Sequence, residues 1–110
     1  MEQVRSPEVT KLSEETLESL SSMLRVLADP TRIRLIEALQ GCDRATVSEL
    51  TSRVRVGQQG VSHQLLLLHR AGCVSRRREG VRVYYALRDW SGWWLVRELA
   101  AEIQSRSVAG

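Results

Sequence analysis

Leucine recurs at positions 17, 20, 24 and 27, behind Ser13 and the acidic pair Glu14 and Glu15. Steps of three and four residues mark one face of an α-helix, with Ser13 as its N-cap and the carboxylates placed well for its first turn. The stripe is narrow and purely leucine, which suits either a helix on its own core or a seam against a second subunit. Ala28, Asp29 and Pro30 break the pattern. A second helix then starts at Pro30 or Thr31, with Ile33, Leu35, Ile36 and Leu39 as its apolar positions and Gly41 as its stop. Thr46 and Glu49 stand three apart as a capping box before a short third helix whose inner face is Val47, Leu50 and Val54. After a turn at Arg55, Val56 and Gly57, a fourth helix starts at Gln58. It carries Val61, Leu65 and Leu68 on one side, with Ser62, His63 and Arg70 roughly opposite, and ends at Gly72.

The period then changes from helical to alternating. Val74, Val81, Val83, Tyr85 and Leu87 predict two short strands joined through Glu79 and Gly80. A last helix is expected from Asp89, with Trp90, Trp93, Trp94, Leu95, Leu99 and Ile103 on a broad apolar face. The domain organisation that follows is a loose arm over 1–12, one folded domain over 13–104 and a polar tail over 105–110.

Charge sharpens this picture. The chain of 110 residues has a net charge of only +3, but residues 44–88 hold nine arginines against Glu49 and Glu79, while both flanks are slightly acidic. A basic middle with acidic flanks is the footprint of one face meeting a polyanion. Two cysteines, Cys42 and Cys73, lie 31 apart, too far for a CxxC ligand pair and too few for a disulfide framework. No apolar run reaches the roughly 18 residues of a membrane span, and the first residues lack the apolar core of a secretion signal, so a cytoplasmic location without membrane contact is expected. Nothing has the spacing of a Ser/His/Asp or Cys/His nucleophile or a phosphate-cradling glycine loop, which speaks against an enzyme.

Two short helices about a glycine turn, followed by an arginine-rich hairpin, have the layout of a winged helix-turn-helix. The fold class expected is mainly α with a two-stranded β-wing, in the order α-α-α-α-β-β-α. Short polar side chains at the start of the fourth helix, Gln58, Gln59, Ser62, His63 and Gln64, suit contact with base edges and phosphates. Arg76, Arg77, Arg78 and Arg82 would bring guanidinium groups to the backbone or the minor groove.

The runs LADPTRIRLIEAL (27–39), VSHQLLLLHRAGCV (61–74) and SRRREGVRVYYAL (75–87) resemble the ArsR/SmtB family of winged-helix regulators over roughly residues 14–104. The resemblance implies a homodimer formed through the first and last helices and binding to double-stranded operator DNA with an imperfect inverted repeat. It also implies repression relieved by an effector. Leu17, Leu20, Leu24, Trp90, Trp93, Trp94 and Leu99 are then the dimer-interface candidates. One departure is Leu66, where the family often has lysine.

The effector stays open among three classes. The cysteine pair by which many relatives hold soft metals is missing from 45–50. Of the ligands for a second common site, in the last helix, Asp89 is present, Ser91 stands where a histidine would be, and only Glu98 and Glu102 are available near its end. A nickel or zinc ion would therefore draw on His63, His69, Asp89, Glu98 and Glu102. A redox sensor would use Cys42 and Cys73, although Cys73 does not lie on the last helix. An organic effector, or an additional protein partner, would use the tryptophan cluster. The competing class is a protein-interaction adaptor on the same fold.

Overall fold

The computed structural model describes residues 11–88 and 91–109. Helix α1 (Glu14–Leu27) opens on Ser13, whose side chain accepts from the Thr16 N–H at 3.1 Å. Helix α2 (Pro30–Gln40) follows after two residues. Asp29, which interrupts the apolar pattern, is its N-cap: Oδ1 accepts from the N–H groups of Thr31 and Arg32 at 2.8 and 3.1 Å. Helices α3 (Val47–Thr51) and α4 (Gln58–Arg70) come next, then strands β1 (Val74–Glu79) and β2 (Arg82–Leu87), and finally α5 (Ser91–Ala109). This is the expected element order. None of the helices among the described residues is long and apolar enough to cross a membrane.

The core sits where α2, α3, α4 and the base of the hairpin meet. Leu35, Ile36, Leu50, Val61, Leu65, Leu68, Cys73 and Val74 are fully buried, and Tyr85 closes the hairpin side. Arg32 fastens three helices at one point. Its Nε donates to the Val26 carbonyl at 2.7 Å, its Nη1 donates to Gln64 Oε1 at 2.8 Å, and its backbone N–H caps on Asp29.

Several boundaries differ from the sequence expectation: α3 ends at Thr51, so Val54 lies in the turn after it. The hairpin turn is Gly80–Val81 rather than Glu79–Gly80, because Glu79 pairs with Arg82 across the sheet. Gly80 has φ +64° and, among the described residues, none other than glycine has positive φ, which is the pattern of a two-residue II′ loop. Val81 is therefore a loop-tip residue, 97% exposed, and not a strand residue. At the C-terminus, residues 105–109 continue α5 instead of forming a tail. Residues 105–109 contain neither glycine nor proline, and Arg106 Nη2 donates to Glu102 Oε2, one turn back, at 2.6 Å. Asp89 and Trp90, along with all of the expected N-terminal arm except Lys11 and Leu12, lie outside the described residues.

Candidate nucleic-acid interface

The interface is assembled around the α3–turn–α4 unit. At the start of α3 the capping box closes in both directions: the Glu49 N–H donates to Thr46 Oγ1 at 3.2 Å, and the Thr46 N–H donates to Glu49 Oε1 at 2.9 Å. That backbone hydrogen bond, more than the nearby arginines, holds the Glu49 carboxyl below the usual carboxylate range. In the turn, Arg53 and Val54 donate back to the Leu50 carbonyl, and Val54 enters the core. A Cβ on Gly60 would lie 2.7 Å from Val56 Cγ1, so the first turn of α4 approaches the preceding turn as closely as glycine allows. Gly57 is the N-cap of α4 and offers no side-chain cap. The opening N–H groups of α4 are thus left to an outside acceptor, the usual arrangement for an anion at a helix start.

Helical geometry divides α4 as its sequence pattern implies. Val61, Leu65 and Leu68 are buried, and Gln58, Gln59, Ser62 and His63 are exposed. Gln64 stands apart from the other four, because its amide oxygen is engaged by Arg32 and the side chain is half-buried. Leu66 is exposed and outside the core cluster, so that position supplies neither a phosphate donor nor core packing.

The hairpin register distributes the wing arginines over two faces, since directly paired residues project to the same side. Val74, Arg76 and Arg78 share a face with Leu87, Tyr85 and Val83; Ser75, Arg77 and Glu79 share the other with Ala86, Tyr84 and Arg82. All four arginines are exposed. Arg76 is the most anchored, its Nε donating to the Tyr85 hydroxyl at 3.2 Å. A residue that the motif reading missed joins the outer face. Arg44, in the loop before α3, places its guanidinium 3.7 Å from the centroid of the Tyr84 ring and donates to Glu79 Oε2 at 2.7 Å. Its one sequence signal is that it opens the basic stretch.

The metal-ligand candidates do not converge. His63 is on the exposed face of α4, whereas His69 is half-buried near its other end with a buried, unpartnered Nδ1. Glu98 and Glu102 are exposed on α5, and Glu102 is paired with Arg106. Among the described residues no three His, Cys, Asp or Glu side chains come together as a metal site within one chain. The cysteines are separate too. Cys73 is fully buried, and desolvation raises its thiol pKa, while Cys42 makes a long Sγ contact of 3.6 Å to the Ala38 carbonyl. The two described tryptophans point different ways: Trp93 packs on the core with Nε1 buried and unpartnered, and Trp94 is exposed.

Residues 29–76 match the model of the family described as bacterial regulatory protein, arsR family. A transcriptional repressor SmtB homolog of Synechocystis is 36% identical over 104 residues, spanning 94% of this chain and 78% of that protein. The chain belongs to the ArsR family. Among solved structures of similar fold, Rv0081 of Mycobacterium tuberculosis superposes with a TM-score of 0.71 at 30% identity, covering 88% of this chain and 96% of that one. The AntR antimony-specific transcriptional repressor shares the fold with a TM-score of 0.77 at 22% identity, over 99% of this chain and 100% of that chain. As an ArsR-family member the chain is a transcriptional regulator and not an enzyme.

Proposed function

We propose that this ArsR-family chain is a homodimeric repressor that reads operator DNA with α4 and grips its backbone with the wing. The observation that carries this reading is the exposed set Gln58, Gln59, Ser62 and His63 at the uncapped start of α4, beside four exposed wing arginines. Gln has the paired donor and acceptor for adenine, and the guanidinium groups and the N–H groups of the helix start supply phosphate contacts. Dimerisation rests on the outer helices. Leu17, Leu20 and Leu24 are 45, 44 and 46% exposed on α1, and Trp94, Leu99 and Ile103 are 59, 50 and 60% exposed on α5. A two-fold dimer presents two copies of α4 to half-sites about one helical turn apart, which makes the operator an inverted repeat.

Two relatives carry an element in their names: CadC of Listeria innocua is a cadmium resistance transcriptional regulatory protein, and AntR is an antimony-specific transcriptional repressor. For this chain, a nickel or zinc site would draw on His63, His69, Glu98 and Glu102, and a second protomer could add ligands that one chain does not bring together among the described residues.

Selection from a random duplex pool tests the proposal. An enriched inverted repeat is expected, bound with an affinity that falls steeply between about 50 and 200 mM salt. Arg77→Ala should weaken binding to all sequences and flatten the salt dependence by about one ion, while Gln59→Ala or His63→Ala should also relax sequence preference. A pool with no enriched sequence would leave the adaptor reading in its place. Nickel or zinc added to the complex should shift its affinity if a metal is the effector, and no shift would set that part aside.

A further inference from the structure

The basic stretch contains two carboxylates, and the structure uses them differently. Glu49 closes the capping box of α3. Glu79 sits at the tip of β1 among cations: Oε2 accepts from Arg44 Nη1 at 2.7 Å and lies 3.5 Å from Arg77 Nε. Arg44 belongs to a different part of the chain, but the backbone fixes it there. Ala45 bridges to Tyr85 through N–H···O bonds of 2.9 and 2.8 Å, which sets Arg44 beside β2 and lays its guanidinium on the Tyr84 ring. The result is a platform of one aromatic ring, two arginines and one carboxylate on the outer face of the wing.

Stability is a weak reason for this arrangement. Both partners of the shorter pair remain close to half exposed, and pairs of that kind add little to folding. Charge toward a polyanion is a stronger one, because affinity for DNA depends steeply on each cation offered to phosphate. A guanidinium stacked on a ring keeps its orientation and still presents N–H groups at its edge, which carboxylate and phosphate oxygens compete for with the same geometry.

We infer that Arg44 is part of the phosphate-binding surface and that Glu79 is its resident competitor, an internal counter-ion that a DNA phosphate must displace and that holds down sequence-independent affinity. The inference rests on the DNA-binding reading above. In the free chain Glu79 occupies Arg44 and offsets part of the charge of Arg77. Once a phosphate takes either cation, the carboxylate is left facing the DNA backbone, and its repulsion persists in the complex.

The experiment uses the full chain as wild type, Glu79→Gln, Arg44→Ala and the double variant. Glu37→Gln serves as a control, since Glu37 is likewise paired with an exposed arginine, Arg34, at 2.7 Å, but on α2. Binding to a random-sequence duplex is measured across a salt series, with thermal melting to confirm that each variant folds. Glutamine keeps the shape and an acceptor oxygen for Arg44 and removes only the charge. Glu79→Gln should tighten binding about three- to tenfold and steepen the salt dependence by up to about one ion. Arg44→Ala should weaken binding, and should cost more in the Glu79→Gln background, where the cation is unopposed. Glu37→Gln should leave binding unchanged. Weaker or unaltered binding by Glu79→Gln would overturn the inference, as would equal tightening by Glu37→Gln, which would reduce the effect to net charge. A wild-type chain that binds no duplex would instead remove the DNA-binding reading itself, so the two failures are distinguishable.

Discussion

The middle of the chain and its two outer helices share one helical periodicity and end in opposite states. Leu35, Ile36, Leu50, Leu65 and Leu68 are sealed among α2, α3, α4 and the hairpin, whereas Leu17, Leu20 and Leu24 on α1 and Leu99 and Ile103 on α5 stay near half exposed. Apolar spacing marks which face of a helix favours burial but is silent about what covers it. In the middle the chain supplies its own cover. On the outer helices it leaves an apolar surface of the kind that marks an interaction site, which the proposed second subunit would close.

The largest expected effect lies in the sealed region. Leu65→Ala removes a fully buried side chain and should cost about 2–5 kcal/mol, a large part of the roughly 5–15 kcal/mol available to a domain of this size. Denaturant unfolding of Leu65→Ala beside Leu24→Ala checks the contrast at concentrations where the chain is monomeric. Equal losses at the two sites would abolish the distinction between closed and open regions.

A charge on the open face should act on assembly instead. Leu24→Glu is expected to shift the dimer–monomer equilibrium by at least about tenfold, because burying an unpaired carboxylate in an apolar seam is strongly unfavourable. Sedimentation should then show a monomer whose circular dichroism stays helical, with operator affinity reduced. A Leu24→Glu chain that remained dimeric would move the seam away from α1.

What the sequence made legible follows the same division. Local devices could be read directly: Ser13 as a cap, the Thr46 and Glu49 box, the buried face of α4 and the glycine in the hairpin turn each depend on residues no more than four apart. Asp29 was harder to read, because a cap between two closely spaced helices looks like a break in the apolar pattern. Val81, a β-branched residue next to a strand, resembles strand in the sequence, and only the pairing of Glu79 with Arg82 puts it in the loop. Contacts between distant positions left no local trace. Gln64 has the spacing of a base-reading residue, yet Arg32, 32 positions earlier, occupies it. Arg44 lies 35 positions from Glu79 and 40 from Tyr84, so its place on the wing appears only in the fold. The effector ligands were illegible for another reason: the candidate side chains are scattered along α4 and α5 and do not meet within one chain among the described residues.

The smallest effect probes how much of the closed region depends on local devices rather than on its core. Thr46→Ala removes the side-chain half of the capping box and should cost about 1 kcal/mol, well below the core substitution. The other half is sensitive to acid. The Glu49 carboxyl is held below its ordinary range in the folded chain, chiefly by the Thr46 N–H, so its contribution is present above the unfolded carboxylate pKa and lost as pH falls through the lower, folded value. Stability measured from about pH 6 downward should therefore decline, and Glu49→Gln should make that decline shallower than in the wild type. Thr46→Ala keeps the backbone N–H that binds Glu49 and should retain most of the slope. If Thr46→Ala flattened the acid limb as much as Glu49→Gln does, the hydroxyl rather than the backbone N–H would be the group holding that carboxylate. α3 would then depend on its cap more than on Leu50 beneath it, and the closed region would owe less to its core than the contrast with α1 and α5 requires.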